Sequence, residues 1–514
     1  MNSVLLGVVV VDTLLAAGVR HVVLAPGSRS APLALRLFDA DRDGALKLHV
    51  RVDERAAAFT ALGLAKATRA VVAVVTTSGT AAANLAPAAM EARAAGVALL
   101  FLTADRPAEA VGTGANQTGR QVGILGPSAL DVIRLNSSSG QPHQWAAAVV
   151  RAHAVALGTR TRQPGPVQLN LELAAPLVGH ATAPVPTVPR ITASAARAEV
   201  TELPPGPRTV VVAGDAPPHV GAEARACAEV AGVPLLAEPS SNARRGPCAI
   251  AGYREHLAGP LGERVERVVV VGHPTLSRPM TALLTRPDVE LVVVSDGATW
   301  HDIGSRAAVV TDRVLLPEVD PAWLQEWRSA DTRIVAGHWG GRRVAQVVTE
   351  SLGADDVLFL GPSAVIRDAD FAPITHAVPT VYSNRGLAGI DGVVSTAIGV
   401  ALGTDRRVTA LLGDLTFQHD LGSLVLPASE PQPDVRIVVA DDDGGAIFHW
   451  LEQGAPQHAD AFERVFGTPQ GLDLVAAASG LGWQAERVTS ADALRAALAR
   501  PGRRVIVAGI TRPR

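Results

Sequence analysis

At 514 residues, 48% hydrophobic and 18% charged, the chain has material for about three globular domains and is not a disordered polymer. Its net charge of -3 leaves no basic excess to neutralise a phosphate backbone, which argues against a general nucleic-acid binder. Two cysteines, Cys227 and Cys248, lack metal-ligand spacing and fit a reducing, cytoplasmic setting.

The N-terminal run SVLLGVVVVDTLLAAGV is apolar, but it has no basic start and carries Asp12 in its middle. It reads as a packed first helix rather than a signal segment, and no other stretch is long and uncharged enough to span a bilayer. Strands then alternate with helices to about residue 180. His21 to Ala25 ends in Pro26-Gly27-Ser28-Arg29-Ser30, and Lys47 to Val52 runs into Asp53-Glu54 and the helical AAAFTALGLAKA. Ala70 to Thr76 precedes Thr77-Ser78-Gly79-Thr80, Val97 to Thr103 precedes Ala104-Asp105-Arg106-Pro107, and Val167 to Leu171 is a further strand. Helices between apolar strands predict a parallel sheet covered on both faces.

The Pro-rich stretch Ala181 to Pro189 reads as a linker. A second α/β unit follows, with strands at Thr209 to Ala213, Val233 to Ala237, Val268 to Val271 and Leu291 to Ser295. Glu318 to Gly337, with Trp323 and Trp327, reads as a helical connection. A third α/β unit runs from strand Val357 to Leu360 to strand Val505 to Ala508. The fold class is thus α/β, with three doubly wound parallel-sheet domains at 1–180, 190–335 and 336–514. No Gly-x-Gly-x-x-Gly follows a strand, so a nicotinamide or flavin fingerprint is unsupported.

The chemistry concentrates at strand ends, where open α/β sheets bind ligands. One apolar run ends in Gly413-Asp414, and Val435 to Ala440 ends in Asp441-Asp442-Asp443-Gly444-Gly445. The spacing admits a strand-helix-strand crossover, which would make the two strands neighbours. Carboxylates beside glycine backbone suit a hard cation holding a phosphate. Taken alone, the same residues are also an ordinary loop acid and an acidic turn. Likewise Asp53-Glu54 could simply cap a helix and favour its first turn.

Gly-Asp followed one crossover later by an acidic Gly-Gly segment resembles the signature of thiamine-diphosphate enzymes. The set APGSRS, VDERAAAFTALGLAKA, TTSGTAAANL, TADRP, TGANQ, Ser363-x-x-x-Arg367, YSNRGLAGIDG and GGAIF narrows the resemblance to one branch. That branch is the 2-succinyl-5-enolpyruvyl-6-hydroxy-3-cyclohexene-1-carboxylate synthases of menaquinone biosynthesis. The motifs fall in the first and third units, and the middle unit offers Arg278 in GHPTLSRP.

The resemblance implies thiamine diphosphate and Mg²⁺, with Mn²⁺ as a substitute. It implies decarboxylation of 2-oxoglutarate and 1,4-addition of the resulting succinyl semialdehyde carbanion to isochorismate. Glu54 would activate the aminopyrimidine. Asp414, Asp442 and the carbonyl of Gly444 would hold the metal. Pro26, Thr77, Ser78, Gly79, Gly413, Leu415, Gly445, Ile447 and Phe448 would surround the cofactor. Where the family usually has Asn this chain has Asp442, which leaves the ligand among Asp441, Asp442 and Asp443 open.

Both substrates are dianions, and arginine pairs bidentately with carboxylate. By resemblance Ser363, Arg367 and Arg385 would receive 2-oxoglutarate. Ser28, Arg29, Arg106, Asn116, Gln117 and Arg278 would receive isochorismate, and Ile390 and Leu451 would form apolar walls. Surface pairing for each arginine and core packing for each wall residue are the competing readings. The family also implies a homodimer or homotetramer with active sites at the subunit interface. Rival functions are another thiamine-diphosphate 2-oxoacid decarboxylase or carboligase, and a non-catalytic ligand-binding protein of the same fold.

Overall fold

The computed structural model describes residues 2–181, 186–187, 191–193, 198–331, 337–375 and 378–512. Most of the expected linker at 181–189, and the expected limit at 335/336, lie outside them. The strands in chain order are β1 (His21–Leu24), β2 (Lys47–Val50), β3 (Val72–Thr76), β4 (Leu99–Asp105), β5 (Val132–Asn136) and β6 (Pro166–Glu172). There follow β7 (Val200–Glu202), β8 (Thr209–Ala213), β9 (Leu235–Ala237), β10 (Arg267–Val271), β11 (Glu290–Val294), β12 (Ala307–Thr311) and β13 (Arg313–Leu315). The last are β14 (Val357–Leu360), β15 (Thr380–Ser383), β16 (Val408–Gly413), β17 (Val435–Asp441), β18 (Gln484–Val488) and β19 (Arg504–Gly509).

They form three main sheets, all parallel. The first runs β2-β1-β3-β4-β6-β5, the central one β12-β11-β10-β8-β9, and the third β15-β14-β16-β17-β19-β18. Counted within each sheet, the first and third have the same strand order. Each therefore reverses direction at the same place, between its first and third strands, and an open sheet has its ligand crevice at such a reversal. The pairing of β16 with β17, Gly413 opposite Ala440, is the neighbour relation expected for the Gly-Asp crossover. Strands such as β3, β8 and β10 are buried apolar runs without polar alternation, because helices cover both faces.

The chain divides into two compact units. One comprises residues 1–195, 386–405 and 420–433, and the other comprises 196–385, 406–419 and 434–514. In the first, helix Asn2–Ala17 is packed as expected, with Leu6, Val9, Val10, Val11 and Leu14 in the core. Helix Glu54–Thr68 is buried continuously from Ala56 to Ala65. Its small side chains let it lie against helix Val393–Thr404 at backbone distance. A Cβ on Gly63 would sit 2.1 Å from the Thr396 carbonyl oxygen, and one on Gly399 2.1 Å from that of Thr60.

In the second unit, the segment expected as a connection is helix Pro321–Ala330, and it belongs to the central core. Trp323 and Trp327 are buried edge to face, and the Trp323 indole donates to the Thr209 carbonyl at 2.9 Å. Both cysteines are free. No helix among the described residues is long and apolar enough to cross a membrane.

Candidate active site

The acidic edge of the third sheet is built by β16 and β17. Asp414 opens the short helix Asp414–His419 directly after β16 and is buried. Its two carboxylate oxygens accept from Leu415 N–H at 2.6 Å and from Gly444 N–H at 2.7 Å. Asp414 thereby ties the loop after β17 to the end of β16. Gly444 is obligatory there: its φ is +141°, and a Cβ would lie 2.1 Å from the Gly467 carbonyl oxygen. A Cβ on Gly413, by contrast, would meet nothing within 4 Å among the described residues, so space is open beside Asp414.

The structure separates the three acids of the triplet. Asp441 pairs with Arg487 at 2.8 Å. Asp443, at φ +57°, caps the following loop by accepting from Gln470 and Gly471 N–H at 3.0 and 2.9 Å. Asp442 has no such hydrogen bond or ion pair among the described residues. Burial and the neighbouring Asp414 push its carboxyl up to about 7, and burial pushes Asp414 up to about 6 despite its two backbone bonds. Two carboxylates that resist ionising together suit a divalent cation, which would relieve both. No group of three His, Cys, Asp or Glu side chains among the described residues is arranged to hold a metal. A cation here would therefore complete its shell from carbonyl and ligand oxygens, as a diphosphate-bound metal does. Beyond β17, Gly445 N–H bonds the Gly467 carbonyl at 2.7 Å, and Phe448 packs on Phe466. Leu415, Ile447, Phe448 and Leu451 are half-buried.

The opposite half of the same edge is basic. Ser363 follows β14 at φ +75° and precedes helix Ala364–Ala369. Arg367 lies inside that helix and donates back to the Ser363 carbonyl at 2.7 Å. Arg385 follows β15 and is 4% exposed. It donates from Nε and Nη2 to Thr275 Oγ1 at 3.2 and 2.6 Å. Burial, then Arg385 and Arg254, lower the pKa of Arg367, and Glu238 opposes them. Guanidinium groups that repel one another in a half-buried place favour an anion. Arg278 opens helix Arg278–Thr285 and is exposed. It lines a groove of about 530 Å³ with Leu257, Glu263, Pro279 and Arg286.

In the first unit, Glu54 begins its helix behind the N-cap Asp53, which accepts from Ala56 N–H at 3.1 Å. Asp53 therefore does the capping, and the half-buried Glu54 carboxylate has no hydrogen bond or ion pair among the described residues. The loops after β1 and β3 touch, since a Cβ on Gly27 would lie 2.3 Å from Thr77 Cβ. Pro26 and Ser28 are exposed in the first of these loops. The TTSGT and TGANQ segments are joined: Ser78 Oγ donates to the Gln117 carbonyl at 2.9 Å, and Gln117 Nε2 donates to the Ser78 carbonyl at 2.8 Å. Gly79, at φ +81°, donates its N–H to Gln121 Oε1 at 3.1 Å.

Arg29 donates to the Leu173 carbonyl at 2.7 Å, and its pKa is lowered by burial and by Arg106. Arg106 Nε is buried without a hydrogen bond among the described residues. Asn116 is exposed, and Ile390 is half-buried in the segment 386–405 of this unit.

The sequence reading missed the polar support beneath these loops. Thr103, Gln121, Gln168 and Asn170 form a buried hydrogen-bonded net, and Asn170 also donates to Asp105 at 2.8 Å. A signal was present. Strand β6 reads PVQLNLE, every residue of it is buried, and Gln168, Asn170 and Glu172 fall on one face. Polar residues two apart in a fully buried strand need partners.

Residues 6–124 match the thiamine pyrophosphate enzyme N-terminal TPP binding domain, and residues 369–505 match the corresponding C-terminal TPP binding domain. A 2-succinyl-5-enolpyruvyl-6-hydroxy-3-cyclohexene-1-carboxylate synthase from Kineococcus radiotolerans is 47% identical, with 98% of this chain and 95% of the relative covered. One from Nocardioides sp. is 45% identical, with 96% and 92% covered. The fold is similar to that of benzoylformate decarboxylase from Polynucleobacter necessarius, at a TM-score of 0.73 and 20% identity over 99% of each chain. The chain belongs to the 2-succinyl-5-enolpyruvyl-6-hydroxy-3-cyclohexene-1-carboxylate synthase family of thiamine-diphosphate enzymes.

Proposed function

We propose that the chain decarboxylates 2-oxoglutarate and adds the succinyl semialdehyde unit in a 1,4 sense to isochorismate, as a step of menaquinone biosynthesis. The observation that carries this is one sheet edge with two chemistries. Asp414 and Asp442 end adjacent strands, while Arg367 and Arg385 follow the two strands on their other side. The first pair suits a metal-bound diphosphate and the second a dicarboxylate.

Bound thiamine diphosphate supplies the electron sink for decarboxylation. Asp414, Asp442 and the Gly444 carbonyl would hold Mg²⁺, with Gly413, Leu415, Gly445, Ile447 and Phe448 around the cofactor. The Glu54 carboxyl would share a proton with the aminopyrimidine ring nitrogen, and Pro26, Thr77, Ser78 and Gly79 would shape that pocket. Ser363, Arg367 and Arg385 would bind the oxoacid carboxylates. Ser28, Arg29, Arg106, Asn116, Gln117 and Arg278 would bind isochorismate, with Ile390 and Leu451 as apolar walls. Domains at 1–180, 190–335 and 336–514, a cytoplasmic setting, and a homodimer or homotetramer with sites at the subunit interface complete the proposal.

The test is carbon dioxide release by the purified protein. Release from 2-oxoglutarate should rise when isochorismate is added. Turnover of pyruvate without response to isochorismate would support another decarboxylase. Glu54→Gln should lose at least a hundredfold in kcat while calorimetry shows Mg²⁺ and cofactor binding retained. A fully active Gln variant would remove Glu54 from its role.

A further inference from the structure

One buried acid at the carboxyl edge of the central sheet has no part in this chemistry. Glu238 follows β9 directly and is 1% exposed. Its Oε1 accepts from Thr275 N–H at 3.0 Å and Leu276 N–H at 2.8 Å, and its Oε2 accepts from Thr275 N–H at 3.2 Å. Burial of a carboxyl is expensive unless its hydrogen bonds are made. Burial pushes this one up to about 8, against the pull of the two backbone bonds and of Arg385.

The loop that Glu238 holds is pinned at its start as well. Asp215 and His273 exchange both backbone hydrogen bonds at 3.0 Å. At Gly272, φ +76°, a Cβ would lie 2.7 Å from the Asp215 carbonyl oxygen. Thr275 is thus fixed on both sides and presents Oγ1 to Arg385.

The geometry of that contact matters. A guanidinium has five N–H groups in a fixed fork. Thr275 takes one from Nε and one from Nη2, on a single edge. Among the described residues the Nη1 end and the outer Nη2 hydrogen make no hydrogen bond. The partner is a neutral hydroxyl, so the arginine keeps its charge for an anion. The acid stands one residue further back, where it steadies the loop and its field still reaches Arg385 and Arg367.

We propose that Glu238 and Thr275 form a positioning relay that aims the Arg385 guanidinium at a carboxylate of the oxoacid, so that the central domain helps to select a dicarboxylic substrate. This rests on the proposed role of Arg385.

The test is steady-state kinetics of Thr275→Val, Thr275→Ser, Glu238→Gln, the Glu238→Gln/Thr275→Val double variant and Arg385→Ala, each with its thermal midpoint. Loss of a hydrogen bond to a charged group predicts that Thr275→Val raises KM for 2-oxoglutarate about tenfold. Its kcat should stay within about threefold and its KM for isochorismate should be unchanged. Thr275→Ser should restore KM. Glu238→Gln should shift KM the same way, and the double variant should be no worse than Thr275→Val alone, as expected for residues acting in series.

A Ser variant as impaired as Val, independent addition in the double variant, or an equal rise for both substrates would overturn the relay in favour of a purely structural role. If Glu238→Gln does not fold, the two Thr275 variants still decide. An unchanged KM in Arg385→Ala would overturn the role of Arg385 itself. A raised KM there, beside an unchanged one in Thr275→Val, would overturn the relay alone.

Discussion

The two halves of the third sheet's carboxyl edge have the same architecture and opposite electrostatics. After β14 and β15 come Arg367 and Arg385, and both already have partners: the Ser363 carbonyl for one and the Thr275 hydroxyl for the other. After β16 and β17 come Asp414, which accepts from backbone N–H groups, and Asp442, which has no hydrogen bond or ion pair among the described residues. The basic half is aimed by protein. The acidic half keeps two neighbouring carboxyls that burial holds above their ordinary range, with Arg512 opposing the shift at Asp442, and a bound cation would relieve both. Ligands of opposite sign would therefore bind side by side on one rigid frame.

The largest effect should come from breaking the acidic half at Asp414. Its carboxylate both faces the proposed cation and ties Gly444 to β16. Asp414→Ala should lower kcat by at least a hundredfold and abolish Mg²⁺-dependent cofactor binding by calorimetry, roughly the effect of losing a primary metal contact. Retained binding would place the metal elsewhere.

The basic half should respond differently. Arg367→Ala should raise KM for 2-oxoglutarate by roughly 10- to 100-fold, one or two charge-assisted hydrogen bonds, with a smaller change in kcat. Arg367→Lys should recover only part of that, because a point charge lacks the guanidinium fork. An equal fall in cofactor affinity would show that the two halves are not separate.

The smallest effect sharpens the comparison at Asp442. Its carboxyl is raised in the folded state, up to about 7. The folded protein therefore binds this proton more tightly than the unfolded chain does. Stability of the metal-free protein should fall as pH rises from near 4 towards about 7, and Mg²⁺ should reverse that fall. Asp442→Asn removes the penalty. Its metal-free thermal midpoint at pH 8 should rise by roughly 1–3 °C, while Mg²⁺ alone binds more weakly. A lower midpoint would mean that Asp442 is satisfied by the protein.

Much of this was visible in the chain. The apolar runs located the central strands of all three sheets, and the acids and arginines at their ends are the residues of the proposed site. Of the edge strands, β2 and β9 were visible, but β5, β12, β15 and β18 were not. β5, β15 and β18 (VIRLN, TVYS and QAERV) carry polar or charged residues on a half-exposed face, so no apolar run announces them. Trp323 and Trp327 read as a connection because two aromatics in a polar helix do not say what they pack against.

The sequence by itself determined the sheet class, the crossover that makes β16 and β17 neighbours, and which residue types stand at each strand end. Those follow from local hydrophobic pattern and loop length. Tertiary structure alone decided which of three consecutive aspartates has no hydrogen bond or ion pair among the described residues. Asp441 reaches Arg487, Asp443 caps residues 470 and 471, and Asp442 feels the charge of Asp414. It also decided that Glu238 and Thr275 stand behind Arg385. Such pairings join residues far apart in the chain, and no local pattern encodes them.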